Sequence, residues 1–289
     1  MVTKRTSSSK PAQAQSADGV ARGGNYALIT GASSGIGEAL AHGFAAKGFD
    51  VVLVARSADK LKALATDLRR EHNIDAQVAA ADLTRPGAAQ NLANLLARKG
   101  LNLRVLVNCA GVLSHGGFLN MEPEKVQQMI DLNITSLTTM LRAFVPGMVE
   151  NVASQGGRAH VLNVASVAAF QPIPMLAAYA ASKAYVLSLS ESLAEELKGT
   201  GVSVTALCPG ITATNMLSGA ASESGKLGAI PSFLIGDVND VARAGLQATL
   251  RGDAVCVPGA LNQVGVLGSR ATPKWLVRKI GGIIGRKVV

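Results

Sequence analysis

Short apolar runs alternate along the chain with longer segments in which apolar residues recur every three or four positions. The runs are apolar almost throughout, which is typical of parallel strands buried on both faces of a sheet. The pattern therefore predicts one doubly wound α/β domain with a seven-stranded parallel sheet and helices on both faces. The predicted strands are 26–30, 50–55, 77–81, 104–108, 158–165, 202–207 and 254–257. The main predicted helices are 38–47, 57–70, 84–99, 122–149, 177–198 and 237–250.

Charge is distributed unevenly over the 289 residues, of which 48% are apolar and 16% charged. The net charge of +9 resides wholly in the two ends, because residues 1–24 carry +3, residues 258–289 carry +6 and residues 25–257 are neutral. We therefore expect a disordered basic leader over 1–24, a folded domain over 25–257 and a basic extension over 258–289. A neutral core with 3% aromatic residues argues against nucleic-acid binding.

The three cysteines, Cys109, Cys208 and Cys256, form neither a close pair nor a metal-binding spacing. They are expected to be reduced, which favours a cytoplasmic location. No apolar run reaches the length of a membrane span, and the first residues lack the apolar stretch of a secretory signal.

The first predicted strand runs directly into a glycine-rich turn with the spacing Gly-x-x-x-Gly-x-Gly, formed by Gly31, Gly35 and Gly37. A strand, a glycine-rich turn and a helix together place backbone N–H groups and the positive helix end against a phosphate. This arrangement predicts a dinucleotide site. The alternative is a structural turn that requires positive φ angles.

Arg56 directly follows the second predicted strand, where the adenosine ribose of a dinucleotide usually lies. An arginine pairs with a 2′-phosphate, whereas an acidic residue would accept hydrogen bonds from a free 2′-hydroxyl. No acid occurs in residues 51–58, so NADP(H) is favoured over NAD(H). The alternative is a solvated arginine.

Tyr179 and Lys183 stand four residues apart, which places them on one face of the predicted helix 177–198. An ammonium group beside a phenol favours the phenolate and lowers the tyrosine pKa, which suits an acid–base group. The pair alone is a weak signal, since helix surfaces supply many such spacings.

Seven short motifs follow one another along the chain: Thr30-Gly31-x-x-x-Gly35-x-Gly37, Asp82-Leu83, Asn108-x-Ala110-Gly111, Asn133, Ser166, Tyr179-x-x-x-Lys183 and Pro209-Gly210. In this order they resemble the short-chain dehydrogenase/reductase family, over about residues 26–257. One position departs from the common pattern, because Cys109 stands where the family usually has a second asparagine.

The resemblance implies a Rossmann-like catalytic domain that transfers hydride between a nicotinamide and a carbonyl/alcohol pair. Tyr179 would be the general acid or base, and Lys183 would lower its pKa and bind the nicotinamide ribose. Ser166 would donate to the substrate oxygen, and Asn133 would hold a water that links Lys183 to solvent. The implied cofactor contacts also include Gly31, Ser33, Gly35, Ile36, Gly37, Asp82, Leu83, Asn108, Ala110, Gly111, Pro209, Gly210, Thr212 and Thr214.

The expected substrate is a small apolar carbonyl or alcohol, because the predicted pocket walls 113–118, 167–175 and 211–235 carry few charges. His115 lies in this rim, either as a functional group or as an ordinary loop histidine. The family resemblance also implies a homodimer or homotetramer built through 122–149 and 177–198. The alternative function is a nucleotide-binding scaffold or cofactor sensor with little catalysis.

Segment 274–289 mixes apolar and basic residues, with Leu276, Ile280, Ile283 and Ile284 at helical spacing. This composition is typical of a helix that lies on an anionic membrane surface. The alternative is a tail packed on its own or a neighbouring subunit.

Overall fold

A seven-stranded parallel sheet forms the centre of the molecule, as predicted. The structure is a computed structural model that describes residues 24–212 and 235–271, with the backbone alone for 269–271. The strands lie in the order β3-β2-β1-β4-β5-β6-β7, and every neighbouring pair is parallel. They are β1 (Asn25–Thr30), β2 (Asp50–Ala55), β3 (Ala76–Ala80), β4 (Asn102–Asn108), β5 (Ala159–Val164), β6 (Val202–Leu207) and β7 (Val255–Cys256).

Helices connect the strands and cover both faces of the sheet, which gives two separate apolar cores. Buried residues of α1, α2 and α7 pack on one face, and those of α3, α5 and α6 pack on the other. The helices are α1 (Gly35–Ala46), α2 (Ala58–His72), α3 (Ala88–Arg98), α4 (Pro123–Ile130), α5 (Leu137–Gln155), α6 (Ala177–Glu196), α7 (Val238–Arg251) and α8 (Ala260–Ala271).

Three predicted elements differ in detail from those observed. The predicted helix 122–149 is α4 and α5 joined by a π-helical segment, Asp131–Ser136. The helix predicted from residue 84 begins at Ala88, after Gly87 in the left-handed conformation with φ +77°. The helix predicted over 57–70 is α2, which begins at Ala58 and ends at His72.

Residues 1–23 of the predicted leader 1–24, most of the predicted pocket wall 211–235 and the residues from 272 onwards lie outside the described residues. The membrane-binding segment predicted over 274–289 falls in that part. The beginning of the C-terminal extension is described and forms α8, on which Leu261, Val264 and Leu267 are exposed. Within the described ranges, no helix is long and apolar enough to cross a membrane.

Candidate functional site

The strand order reverses between β1 and β4, and ligands of such sheets bind in the crevice beyond the strand ends at this point. Gly31 follows β1 with a φ of +68°, and a Cβ there would lie 3.0 Å from the Ala110 Cα. The glycine therefore lets the loops after β1 and β4 approach each other closely. The buried Thr30 hydroxyl joins them by accepting from the N–H groups of Cys109 (3.0 Å) and Ala110 (3.1 Å).

The glycine-rich turn folds tightly onto itself and leads directly into α1. Gly35 has a φ of +60°, and a Cβ on Gly37 would lie 2.3 Å from the Gly31 carbonyl oxygen. Ser33 and Ile36 are partly exposed in this turn. The turn thus leads into the N-terminal end of a helix, the kind of position at which phosphates bind.

The ends of β2 and β3 bring the next two predicted cofactor residues to the same edge of the sheet. Arg56 follows β2 and is exposed, whereas Leu83 is buried beside Asp82. Hydrogen bonds from Thr84 hold the pKa of the Asp82 carboxyl below its usual value, and the Arg56 charge adds to this effect. Arg56 is therefore close enough to Asp82 for their charges to interact.

Ser166 and Tyr179 meet where β5 ends and α6 begins. The buried Ser166 caps a short 3₁₀ helix, Val167–Phe170, by accepting from the Ala168 N–H at 3.1 Å. Burial raises the pKa of the Tyr179 phenol, and a hydrogen bond from Ser166 opposes this rise. The sequence predicted that Lys183 would lower the Tyr179 pKa. Instead this pKa rises, because removal of the phenol from water has the larger effect.

Lys183 is 6% exposed, and its ammonium donates to the Val164 carbonyl oxygen at 2.9 Å. Its Nζ lies 5.8 Å from the centre of the Tyr179 ring. Burial lowers the pKa of Lys183 to about 8, and the nearby Cys109 and Cys208 thiols oppose the shift. The ammonium is still the main form at neutral pH.

Asn133 lies in the π-helical segment and is 1% exposed. Its carboxamide accepts from the Val112 N–H and donates to the Val112 carbonyl, both at 2.9 Å. It also donates to the Ser182 hydroxyl at 3.1 Å, and that hydroxyl donates to the Tyr179 carbonyl at 2.7 Å. A Cβ on Gly111 would lie 3.2 Å from Asn133 Oδ1 and 3.5 Å from Lys183 Nζ. Asn133 is therefore joined to the tyrosine helix through Ser182, which the sequence analysis did not identify.

A second chain of buried polar groups starts at Asn108, at the end of β4. Its amide donates to Asn163 Oδ1 in β5, and the Asn163 amide donates to the Ser190 hydroxyl in α6, both at 2.9 Å. The Asn108 side chain thus fastens the sheet to α6. Its Oδ1 is buried and has no hydrogen-bond partner among the described residues. Sequence reasoning missed Asn163 and Ser190, although an asparagine among the mostly apolar residues of β5 was the available signal.

The segment after β6 lies against Ser166. Pro209 accepts from the Val167 N–H at 2.9 Å, and the buried Thr212 hydroxyl donates to the Gly210 carbonyl at 3.0 Å. The predicted contact residue Thr214 lies outside the described residues. The structure therefore brings Pro209 to the same edge as Ser166.

Comparison with known proteins gives a match to the family model "short chain dehydrogenase" over residues 25–225. Human 17-beta-hydroxysteroid dehydrogenase type 3 is 36% identical over 196 residues, which are 67% of this chain; the match spans only 61% of that relative's length.

Two solved structures have the same fold. A short-chain dehydrogenase from Sphingobium yanoikuyae in complex with NADPH is 35% identical, with a TM-score of 0.73 over 85% of this chain and 93% of that one. The 3-ketoacyl-(acyl-carrier-protein) reductase from Brucella melitensis complexed with NADH is 30% identical. Its TM-score is 0.71 over 82% of this chain and 96% of that one. Similar folds thus occur with either nicotinamide cofactor.

Proposed function

Because this chain belongs to the short-chain dehydrogenase family, we propose that it is an NADP(H)-dependent oxidoreductase that interconverts a carbonyl and a secondary alcohol on an apolar small molecule. The observation that carries the proposal is the assembly of four side chains at one end of the sheet. The Ser166 hydroxyl is near enough to the Tyr179 phenol to lower its pKa, Lys183 Nζ lies 5.8 Å from the centre of the tyrosine ring, and Asn133 is joined to the tyrosine helix through Ser182.

Two of these side chains act directly on the carbonyl oxygen in the proposed reduction. The nicotinamide, when bound, supplies the hydride. The Tyr179 phenol donates a proton to the carbonyl oxygen, and the Ser166 hydroxyl stabilises the negative charge that develops there. Burial raises the Tyr179 pKa, which keeps the phenol protonated at neutral pH. This form is the proton donor in carbonyl reduction, and the phenolate would be the proton acceptor in alcohol oxidation.

The residues of the glycine-rich turn and Arg56 also fit an NADP(H) cofactor. The turn containing Gly31 and Gly37 leaves no room for a Cβ and brings the backbone close to where a pyrophosphate would lie. Arg56 is exposed at the end of β2, in position to pair with a 2′-phosphate. Ser33 and Lys60 line a cavity of about 350 Å³ beside the turn, but Glu38 and Asp67 line it too, so the case for a 2′-phosphate rests on Arg56 and not on this cavity. These features support NADP(H) over NAD(H).

Charge reversal at Arg56 tests the cofactor preference. Arg56→Asp is expected to weaken NADPH binding by at least about tenfold, the loss expected of a charge-assisted hydrogen bond to a phosphate, and NADH binding much less. Fluorescence titration with each cofactor measures both affinities. Arg98→Asp, at an exposed position on α3, is the control and should change neither. Equal losses for NADPH and NADH in the Arg56 variant would contradict the assignment.

The exposed surface near the site supports an apolar substrate. Phe118 is 60% exposed and Leu119 is 96% exposed in the loop after β4. This loop is fastened to the segment before α6 by a hydrogen bond from the Gly116 N–H to the Met175 carbonyl at 2.8 Å. The resemblance to a hydroxysteroid dehydrogenase agrees with such a substrate.

A panel of apolar ketones, acyl thioesters and polar sugars, assayed by loss of reduced-nicotinamide absorbance, tests the substrate class. We expect turnover of apolar ketones and none of phosphorylated sugars. The opposite ranking would contradict the apolar class. Tight NADPH binding without turnover of any compound would instead favour the scaffold or sensor alternative.

We also propose a homo-oligomer, a cytoplasmic location and peripheral membrane contact through segment 274–289. Ile130 and Tyr185, on the adjacent α4 and α6, are more than one third exposed, which supports self-association through these helices. The three cysteines are free thiols, as expected in a reducing compartment. Light scattering that gave a monomer mass would contradict the oligomer.

Equal binding of anionic vesicles by the full chain and by a chain ending at residue 270 would contradict the membrane contact.

A further inference from the structure

A cluster of three possible metal ligands lies between α1 and α2, away from the four side chains of the proposed reaction. It consists of His42 on α1 and of Glu71 and His72 at the end of α2, and each offers a ligand atom within 4.8 Å of the other two. His42 Nδ1 lies 3.7 Å from Glu71 Oε2. The rings of His42 and His72 are edge to face, with their centres 6.3 Å apart.

The packing of the two helices fixes the position of this cluster. Phe44, Leu64 and Leu68 are buried beneath the helices on the same face of the sheet, so the backbones of α1 and α2 are held side by side. The cluster itself is at the solvent edge, since the side chains of His42 and Glu71 are 41% and 45% exposed. Its side chains can therefore turn towards a common centre without disturbing the core.

We propose that His42, Glu71 and His72 bind a divalent transition-metal ion such as zinc. Two imidazoles and one carboxylate are a ligand set that suits zinc, with a water molecule completing a tetrahedron. Tetrahedral coordination brings ligand atoms to roughly 3.4 Å from one another, so the present separations require only small side-chain rotations.

The charged side chains around the cluster are negative on balance, which favours a bound cation. Arg70 lies 3.3 Å from Glu71 Oε1, the carboxylate oxygen that does not face His42. Arg70 also pairs with Asp67 at 2.7 Å. Glu38 and Asp67 line the neighbouring cavity together with His42 and Lys60, so three carboxylates, including Glu71, face one guanidinium and one ammonium near the histidines. A metal ion adds positive charge to a region that is negative on balance.

The ion would fasten together the two helices that present the predicted cofactor site. Helix α1 begins in the glycine-rich turn, and α2 begins two residues after Arg56. A metal that binds only the folded chain stabilises it by mass action. The inference is independent of the proposed reaction, because it requires none of the catalytic side chains.

Zinc titration of the tag-free full chain tests the proposal, with calorimetry for affinity and thermal unfolding for stability. We expect one zinc ion per chain and a higher melting temperature with zinc. His42→Asn and His72→Asn should each weaken zinc binding by more than about tenfold, the lower range of losses seen even for outer-shell partners. Glu71→Gln should act in the same direction, and all three should remove the zinc-dependent rise in melting temperature.

His115→Asn is the matched control, since it removes a histidine outside the cluster and should bind zinc like the unaltered chain. The three cluster positions are at the solvent edge, so the variants should melt like the unaltered chain when zinc is absent. Visible absorption of bound cobalt(II) gives a second readout of the ligand set. Absence of zinc binding, or equal zinc binding by all variants, would overturn the proposal and leave the cluster as an interhelical polar contact only.

Discussion

Tyr179 and Lys183 are one helical turn apart, and burial moves their pKa values in opposite directions. The phenol pKa rises, whereas the ammonium pKa falls to about 8, because burial disfavours the charged form of each group. The residue spacing predicted their proximity. It could not predict the direction for Tyr179, since this depends on how much water the rest of the fold excludes.

His160 shows the same effect at a residue with no proposed catalytic role. It is 8% exposed in β5, and its Nδ1 lies 2.8 Å from the Ser203 hydroxyl in β6. Burial lowers its pKa to about 4, and the Arg158 charge adds to the shift. The unfolded chain therefore binds a proton at this histidine near pH 6.5, whereas the folded chain binds it only near pH 4.

Stability should consequently fall as the pH is lowered from about 6.5 to about 4, by up to about 3 kcal/mol from this group. His160→Asn removes the titrating ring and should flatten this part of the pH profile. Urea unfolding at several pH values measures the difference, with His115→Asn as the control. A variant profile parallel to that of the unaltered chain would show that His160 does not titrate in this way.

The helical connection between β4 and β5 contains the element that sequence patterns missed. A periodic apolar stripe predicted one helix over 122–149, and helical structure does run through the region, but Asp131–Ser136 has π-helical geometry. This segment holds Asn133 against both backbone groups of Val112. Such a wide turn depends on contacts with another segment, so a local pattern cannot reveal it.

The close packing of the glycine-rich turn before α1 can be tested by substituting Gly37. Gly37→Ala would place a Cβ 2.3 Å from the Gly31 carbonyl oxygen. A backbone atom cannot move aside as a side chain can, so we expect a loss of about 1–3 kcal/mol in the free energy of unfolding and weaker NADPH binding. Denaturant unfolding and cofactor titration measure the two effects.

Gly147→Ala is the control for this substitution, because it lies within α5 and nothing lies within 4 Å of the added Cβ. It should stabilise the chain by about 0.5–1 kcal/mol, as alanine favours helix over glycine. If both variants had the same stability and cofactor affinity, close packing at Gly37 would not be required.

At the scale of the whole molecule, the alternation of strands and helices was sufficient to predict the parallel sheet. The strand order, with its reversal between β1 and β4, is observed only in the folded chain. The chain from Asn108 through Asn163 to Ser190 likewise crosses two strands and a helix. These contacts join residues far apart in sequence, and their side chains meet only after the sheet has formed.

Tyr179, the proposed proton donor, lies on α6, and the proposed activity depends on this residue. Replacing Tyr179 by phenylalanine removes the phenolic hydroxyl and retains the ring. Tyr185→Phe removes an exposed hydroxyl that contacts Thr138 and serves as the control.

The most direct test is the turnover of an apolar ketone by Tyr179→Phe, measured together with its NADPH affinity. We predict that turnover falls by about 10²–10⁴-fold, the usual contribution of a positioned general acid, while NADPH affinity stays near that of the unaltered chain and Tyr185→Phe retains full turnover. Unchanged turnover in Tyr179→Phe would contradict the account.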